Sequence, residues 1–557
     1  MIWIRTAELP DSGAGTVWCF IEHLDRGHAQ RGMVPVTPVD RSSGSRIGLG
    51  VAYPIERWTT TSRRIDWAVH AVSPVRPGDA NAVMSDEDGR LFGYSDTPAR
   101  HVSPEAPFYP SKVHREIDAD WSPPNIVLIV ADDLGRNDIG CYGGTHIPTP
   151  ALDRIAREGM RCTDAYGGHP VCAPSRDVLL TGRHTGHTTL RGNMSSAGVG
   201  GMRVVDDGAI QHRVGLMADD LTIAEFLSGS GYVTGAMGKW GLGEPGTDAI
   251  PTRKGFDRWF GYLNQRRAHT YYPPYLWDDE TRLDFPGNQP GTTGVDDGPY
   301  AHDLIEAEAL SFIHEHSGDQ FFAYLPYTLP HAELVVPEVD SFVDPAWSED
   351  EQAYASMVAR FDRSVGNVVD VLEDEGIDRD TLVIVTVDHG ADADPSRFES
   401  TKPLRGHKRA LYDGGIRVPA LFRWPDMIPA GSVCERPWYF ADVFPTLAEV
   451  AGRPQPSLPG QVDGVSIVPT LLGDDQPGLA RRYLYWERST PDGLGQAGRY
   501  GDWKAVRPDR AGPTELYDLA ADEGESTDLA AEHPEVVGRF ERYFRDAHDE
   551  SPYWPSW

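Results

Sequence analysis

Two continuous apolar segments, each followed directly by two charged or titratable residues, constrain the fold of this chain most strongly. Asn125–Ala131 has the sequence Asn-Ile-Val-Leu-Ile-Val-Ala, and Thr381–Val387 has the sequence Thr-Leu-Val-Ile-Val-Thr-Val. Short apolar runs rich in β-branched residues are typical of strands buried on both faces, which occur mainly in parallel sheets covered by helices. These two segments therefore predict an α/β fold.

The segments around these strands carry helical patterns. Thr149-Pro150 is expected to open a helix that Gly159 closes, and residues 357–374 place a stripe of apolar side chains on one helical face. A further helix is expected at 220–227, and further strands at 232–237 and 418–423. The alternation predicts a large, mostly parallel sheet sandwiched by helices.

The two ends of the chain differ from this centre. Residues 1–118 contain short β-rich pieces between Gly, Pro, Asp and Ser, which predict a β-rich accessory region, either a structural cap or a carbohydrate-binding unit. Prolines within 103–124 indicate a linker. Shorter strands and one helix, expected at 534–548, predict a smaller α+β subdomain over 455–557. The main α/β domain is expected at 119–454.

Composition narrows the range of partners. The net charge of −33 disfavours nucleic acid and anionic membranes, and no apolar stretch of about 20 residues is present to span a bilayer. Five cysteines in a chain of this length do not indicate a disulfide framework. No secretory signal is seen in the first 20 residues, so a cytoplasmic location is expected, with a secreted or periplasmic one open if the true start lies elsewhere. Basic residues cluster locally in 251–269 and 403–417.

Polar residues at the two buried strand ends predict a metal site. Asp132 and Asp133 follow the first strand, and Asp388 and His389 follow the second. Neighbouring parallel strands bring such side chains to one edge, where three carboxylates need a cation. Oxygen ligands suit Ca²⁺ or Mg²⁺, while the imidazole leaves Mn²⁺ or Zn²⁺ open. Either pair alone could be a helix cap, but two pairs favour a metal.

The segment 170–183 predicts a nucleophile at a helix start. Pro174 suits a first helical turn, and Gly182 suits a left-handed cap at the helix end. Cys172 then lies at the N-terminus, where free N–H groups and the helix dipole favour an anion. Arg176, four residues on, can lean back toward it. The alternative is an ordinary buried cysteine.

This segment also carries a family resemblance. Cys-x-Pro-Ser-Arg, followed by two residues, two apolar residues and Thr-Gly, resembles the signature of formylglycine-dependent sulfatases, members of the alkaline phosphatase superfamily. The resemblance covers about 123–520 and implies that a maturation enzyme oxidises Cys172 to formylglycine, whose hydrate is the nucleophile. It also implies one divalent cation, Ca²⁺ foremost and Mg²⁺ or Mn²⁺ as alternatives, held by Asp132, Asp133, Asp388, His389 and position 172.

Further motifs resemble the family's sulfate-binding segments. Gly-Lys-Trp-Gly-Leu-Gly at 238–243 resembles its second signature and implies that Lys239 binds sulfate. Residues 325–331 and 404–419 resemble segments that supply a histidine at the scissile ester, here His331, and a second sulfate lysine, here Lys408. The implied mechanism uses Asp388 as base, Arg176 and both lysines to stabilise charge, and His331 or Lys408 to protonate the leaving alcohol. Two of only six lysines fall on these positions.

One departure from the pattern is Gly241, where the family commonly has histidine. His187, in Thr-Gly-Arg-His-Thr-Gly-His, is a candidate replacement, and a turn-capping histidine is the alternative. The loop from Tyr262 to Tyr272 resembles one of bacterial carbohydrate and aryl sulfatases, and its aromatic residues could stack on a sugar.

The expected activity is therefore hydrolysis of a small-molecule or oligosaccharide sulfate ester. The alternatives are a phosphodiesterase or phosphonate monoester hydrolase of the same superfamily, and a non-catalytic glycan-binding protein. The sequence leaves the substrate and the oligomeric state open.

Overall fold

The computed structural model describes residues 122–194, 212–288, 298–453, 461–489, 493–509 and 511–554 in full, and elsewhere the backbone of strands. The chain forms two compact units, Met1–Phe108 and Tyr109–Trp557. The strands that the structure describes in the first unit form three antiparallel sheets: β1 (Ile2–Ala7), β2 (Val17–Asp25), β3 (His28–Val36), β4 (Gly50–Pro54), β5 (Trp67–Ala71), β6 (Val83–Ser85) and β7 (Leu91–Gly93). The side chains of this unit lie outside the described residues, so its role as a cap or a carbohydrate-binding unit stays a prediction.

The second unit is built on an eleven-stranded sheet. Its strands are β8 (Asn125–Ala131), β9 (Met160–Tyr166), β12 (Val233–Lys239), β13 (Arg258–Tyr262), β14 (Tyr275–Asp278), β15 (Thr281–Asp284), β16 (Phe321–Pro326), β17 (Thr381–Val387), β18 (Arg417–Arg423), β19 (Ser432–Cys434) and β20 (Trp438–Tyr439). They lie in the order β15-β14-β13-β12-β16-β8-β17-β18-β9-β19, and β20 also pairs with β9. A separate hairpin joins β10 (Met202–Asp206) to β11 (Ala209–Arg213).

The centre of the sheet is parallel, as the two apolar segments predict. β12, β16, β8 and β17 run side by side in the same direction. Every residue of β8 and of β17 is buried. Asn125 pairs with Thr381 and Ala131 with Val387, so these two strands end level with each other. The polar residues that follow them are therefore delivered to the same edge.

Helices flank this sheet. α1 and α4 each pack against α5, while α2, α3 and α7 pack against one another, and both groups contact strands. The helices are α1 (Pro150–Glu158), α2 (Cys172–Thr181), α3 (Ile223–Ser228), α4 (Ala301–Glu315), α5 (Glu349–Asp374), α6 (Asp413–Ile416), α7 (Val443–Val450), α8 (Val468–Leu471) and α9 (Pro534–Asp546). α5 begins at a capping box in which the Ser348 hydroxyl accepts from the backbone N–H of Glu351, which explains its start ahead of the predicted residue 357. No helix among the described residues is long and apolar enough to cross a bilayer.

The sheet is more mixed toward its edges than the sequence suggests. β18 runs antiparallel to β17, and β9 antiparallel to β18. Residues 388–416, all of which the structure describes, contain only short helical turns between β17 and β18 and no crossover helix. A connection between parallel strands must cross back over the sheet, which takes a dozen or more residues and usually a helix. Without such a helix, the chain turns at the C-terminal end of β17 and β18 runs in the opposite direction. The strand predicted at 418–423 is present, in the opposite direction.

The C-terminal part forms the predicted smaller α+β element. Its antiparallel sheet contains β21 (Tyr483–Thr490), β22 (Gly493–Tyr500), β23 (Trp503–Arg507) and β24 (Glu515–Asp518). Phe540 and Phe544 of α9 are buried in its core. It is anchored to the main sheet by Trp486, whose indole N–H donates to the carbonyl of Gly167 at 2.8 Å. This contact places the C-terminal sheet beside the loop that leads into α2.

Candidate active site

The four central strands deliver their C-terminal residues to one edge of the sheet. Lys239 is the last residue of β12, and the segment containing His331 follows β16. Asp132 follows β8, and Asp388 follows β17. The N–H of Asp132 donates to the Leu329 carbonyl at 3.0 Å, and the N–H of Asp388 donates to the Ala131 carbonyl at 3.1 Å. The strand ends are thus tied together by their own backbones.

Helix α2 brings Cys172 to the same place. Ser175 fixes the helix start, because its hydroxyl donates to the Asp388 carbonyl at 2.5 Å and accepts from the N–H of Gly168 at 2.9 Å. Gly182 ends the helix in a left-handed conformation at φ 69°, as the sequence predicts. Cys172 is 1% exposed. Its Sγ lies 3.4 Å from Oδ1 of Asp132 and 3.1 Å from Nε2 of His389.

Arg176 lies beneath these groups and is completely buried. Its Nη2 donates to Oδ2 of Asp132 and of Asp388, both at 3.2 Å, and its Nη1 donates to the Lys239 carbonyl at 2.6 Å. The sequence predicts that Arg176 lies near an anion at Cys172. Burial opposes the charge of Arg176, but Asp388, Asp132 and Cys172 raise its pKa, so the two groups do interact. The guanidinium also spans two carboxylates, so it sets their orientation.

Two lysines flank the carboxylates. Lys239 donates to Oδ2 of Asp132, and Lys408 donates to Oδ2 of Asp133 at 2.6 Å. The Lys408 ammonium also lies 2.9 Å from Nε2 of His331. The sequence-predicted residues Lys239, His331 and Lys408 therefore lie with Asp132 and Asp133 in one buried group.

The charges in this group shift its pKa values in opposite directions. Burial together with the charge of Asp132 raises the pKa of Asp388 to about 7. Burial opposes the charged form of His389, but Asp388 and Cys172 outweigh it and raise the pKa of His389 to about 10. Burial and Asp132 would raise the pKa of Cys172, yet Lys239 and Lys408 hold it well below its ordinary value. The site therefore stabilises an anion at position 172.

The donor set fits a divalent cation. One ligand atom from each of Asp132, Cys172, Asp388 and His389 lies within 4.8 Å of the others, and all four residues are buried. Oδ1 of Asp133 and Oδ1 of Asp388 are buried without a hydrogen-bond partner among the described residues. Three carboxylates, two of which have an oxygen unpartnered within the described part of the chain, suit Ca²⁺, Mg²⁺ or Mn²⁺, and they need such a charge to remain ionised together.

His187 is not brought into this group, which corrects the expectation that it stands in for a histidine at 241. α2 has ten residues and is about 15 Å long, and His187 lies beyond its far end. There its Nδ1 contacts Oδ2 of Asp463 at 2.8 Å, and its ring stacks on His184 at 4.0 Å. The backbone of Asp463 donates to the carbonyl of Gly182, the residue that ends α2. The two glycine turns carry His187 away from Cys172.

The aromatic residues after β13 are also used differently from the prediction of sugar stacking. Tyr271 is 1% exposed, stacks on Tyr300 at 5.4 Å, and donates its hydroxyl to the carbonyls of Thr328 and His331. It supports the segment that carries His331. The sequence analysis assigned no role to His269 on the same loop, whose ring stacks on His331 at 4.1 Å. The signals for it in the sequence are its place in the basic segment 251–269 and in the loop that resembles one of carbohydrate and aryl sulfatases.

Comparisons with known proteins agree with this geometry. The family model described as Sulfatase matches residues 124–453. Arylsulfatase A of Homo sapiens is 33% identical over 468 residues, which is 74% of this chain and 86% of the relative. N-acetylgalactosamine-6-sulfatase of Sus scrofa is 33% identical over 396 residues, 68% of this chain and 71% of the relative. A solved structure of Ps i-CgsB in complex with k-i-k-neocarrahexaose has a TM-score of 0.65 at 27% identity, covering 78% of this chain and 95% of that one. The chain belongs to the sulfatase family and is a sulfuric ester hydrolase.

Proposed function

We propose that this enzyme hydrolyses a sulfate ester of a carbohydrate, with a formylglycine at position 172 and a divalent cation. The observation that carries the proposal is the convergence of Cys172, Asp132, Asp388 and His389 on one point between two lysines. A non-catalytic binding protein would need the two lysines to hold an anionic ligand. It would not need a buried nucleophile placed beside three carboxylates.

The cation would be held by Asp132, Asp133, Asp388, His389 and position 172, and it would supply a positive charge for a sulfate oxygen. The formylglycine would supply the nucleophilic hydroxyl of its hydrate. Asp388 offers an unpartnered Oδ1 toward this position and is the proposed acceptor of the hydroxyl proton. Arg176 keeps that carboxylate oriented through its bonds to Oδ2.

The remaining residues stabilise charge and supply a proton. Lys239 and Lys408 lie on either side of the carboxylates and can donate to sulfate oxygens as negative charge spreads over them. The Nδ1 of His331 contacts the Ala332 carbonyl, which directs its Nε2 toward Lys408. Asp133 and Asp132 raise the pKa of His331 in spite of its burial. The Lys408–His331 pair is the proposed source of the proton for the leaving alcohol.

A carbohydrate is the proposed leaving group because two similar proteins are named for sugar substrates or contain a sugar ligand. One is the N-acetylgalactosamine-6-sulfatase, and the other is the structure with bound neocarrahexaose. Of the basic residues of 251–269, Arg266 and Arg267 follow β13, whose last residue, Tyr262, pairs with Lys239. Arg266 is exposed there and would offer a further cation to a substrate that carries several sulfates.

The test is to produce the protein together with a formylglycine-generating enzyme and to assay it on an aryl sulfate, on an aryl phosphate diester and on a panel of sulfated sugars. Peptide mass spectrometry should show the aldehyde in place of the Cys172 thiol, and Cys172→Ala should be inactive. Equal activity of protein with an unmodified thiol would reject the formylglycine. A kcat/KM higher on the phosphate diester than on every sulfate would favour the phosphohydrolase alternative.

A further inference from the structure

The place where the family commonly has a histidine is closed in this chain. Gly241 has φ 73°, and a Cβ built on it would lie 2.2 Å from Oε1 of Gln265. The N–H of Trp240 donates to the Tyr262 carbonyl at 2.9 Å, and the N–H of Gly241 donates to the Leu263 carbonyl at 3.1 Å. The loop after β13 is thereby held directly beside position 241. A larger residue there would have to displace the side chain of Gln265.

The same loop brings two unsatisfied polar groups into the interior. Gln265 is 2% exposed, and both atoms of its amide lack a hydrogen-bond partner in the described part of the chain. Nε2 of His269 is also buried and unpartnered among the described residues. A buried polar group without a partner destabilises the fold, because it has lost its hydrogen bonds to water. Two such groups on one loop indicate a polar ligand.

The position of His269 relates these groups to the active site. Its ring stacks on His331 at 4.1 Å with an angle of 29° between the planes. Its carbonyl accepts from the N–H of Glu333 at 3.2 Å, which ties the loop to the segment that carries His331. Burial, His331 and Lys239 lower the pKa of His269, so its imidazole is neutral. A neutral imidazole can donate one N–H hydrogen bond without adding charge.

We propose that His269 is a further substrate-contacting residue, which donates a hydrogen bond from Nε2 to an oxygen of the sulfate group beside His331. This rests on the sulfate-ester hydrolysis proposed above. His269 then supplies the imidazole that position 241 lacks, while Gln265 fills the space of the missing side chain. A sulfate oxygen satisfies the buried Nε2 donor, which explains why the chain leaves it unpartnered.

Three variants of the matured, metal-loaded enzyme separate this role from simple packing. His269→Ala removes both the ring and the donor, His269→Phe keeps a stacked ring without the donor, and His269→Gln keeps a donor without the ring. The measurements are kcat/KM on an aryl sulfate and the Kd of inorganic sulfate by calorimetry. We expect His269→Ala and His269→Phe to lower kcat/KM and the affinity for sulfate by about 10- to 100-fold each, which corresponds to the loss of one hydrogen bond to a charged group. His269→Gln should recover most of that loss.

The matched control is His184→Ala. His184 stacks on His187 at 4.0 Å and 28°, almost the geometry of the His269–His331 pair, but it lies beyond the far end of α2. This variant should keep wild-type kcat/KM and wild-type affinity for sulfate. Thermal unfolding by circular dichroism identifies any variant that fails to fold, and the comparison then rests on the others.

The proposal is overturned if His269→Ala binds inorganic sulfate as tightly as the wild type does. It is also overturned if His269→Phe is active and His269→Gln is not, since ring stacking alone would explain that pattern. Wild-type protein that binds sulfate but does not hydrolyse any sulfate ester would reject the proposed function instead. The calorimetric comparison of wild type with His269→Ala still decides the role of His269 in that case.

Discussion

Replacing Arg176 with methionine removes the positive charge that joins two carboxylates of the active site. Arg176 is completely buried and donates to Asp132, to Asp388 and to the carbonyl of Lys239. Methionine keeps an unbranched apolar side chain, but it is shorter than arginine and has no charge. In the variant the two carboxylates share a buried site with one cation fewer, and the carbonyl loses a donor.

The expected loss can be worked out from these contacts. Removing one partner of a buried ion pair is destabilising by about 3–5 kcal/mol, because the other partner remains buried and unpaired. A bound divalent cation neutralises the same carboxylates, so the variant should bind it more tightly than the wild type does. If affinity rises tenfold, the destabilisation measured at saturating metal is smaller by about 1.4 kcal/mol. The loss of unfolding free energy caused by Arg176→Met should therefore be smaller with bound metal than in a chelator.

The assay is denaturant unfolding followed by circular dichroism, once with a chelator and once with saturating Ca²⁺. Arg423→Met is the matched control. Arg423 is 3% exposed and pairs with Glu158 at 2.9 Å, near the opposite ends of the strands. This variant should also lose stability, by less than Arg176→Met because the carboxylate partners of Arg423 are partly exposed, and the loss should not depend on Ca²⁺. Equal destabilisation of Arg176→Met in the two conditions would refute the idea that Arg176 and the cation neutralise the same carboxylates.

Three more predictions concern metal, pH and packing. Chelation should abolish turnover and lower the free energy of unfolding by about 2.7 kcal/mol relative to metal at a hundredfold excess over Kd, and elemental analysis should find the cation in active enzyme. Burial and Asp220 raise the pKa of Asp177 to about 8. The folded state thus keeps a proton that the unfolded chain releases above about pH 4, and stability falls as pH rises from 4 to 8 by up to about 1.4 kcal/mol per unit. Asp177→Asn should reduce the slope by this contribution when unfolding is compared at pH 5 and pH 7.5, while Asp388, whose pKa is also raised, still contributes. An unchanged slope would contradict the assignment. Gly241→Ala should be destabilising by about 1–3 kcal/mol in thermal unfolding, since its Cβ meets Gln265, and Gln265→Ala in the same chain should recover part of the loss.

The sequence was sufficient to predict the strand ends and helix bounds that depend only on neighbouring residues in the chain. A buried strand ends where its apolar run ends, so the apolar pattern alone places Asp132 and Asp388 at strand ends. Pro174 and Gly182 mark the bounds of α2, and the structure has both where they were expected. These predictions needed no knowledge of which strands are neighbours.

The sequence was insufficient wherever the outcome depends on three-dimensional packing. β18 runs antiparallel to β17 because the described segment between them contains no crossover helix, and an apolar strand pattern does not show the direction of a strand. Helical spacing allowed Arg176 to reach Cys172, but the position of Asp388, which follows β17 and lies 212 residues away in sequence, decided where the guanidinium of Arg176 lies. His187 and Tyr271 have residue types suited to a site, and only the folded chain shows that they bind Asp463 and support His331.

The burial of Cys172 has a consequence for the order of events during biosynthesis. Its hydrogen-bonding neighbours are far apart in sequence, with Asp132 40 residues before it and His389 217 residues after it. Contacts of such separation form late in folding, because the intervening chain must first be ordered. Position 172 thus stays accessible on the nascent chain until β17 has been made, and it is closed off once the sheet is complete. Any enzyme that modifies this cysteine has that interval in which to act, and a variant that folds faster around α2 would shorten it.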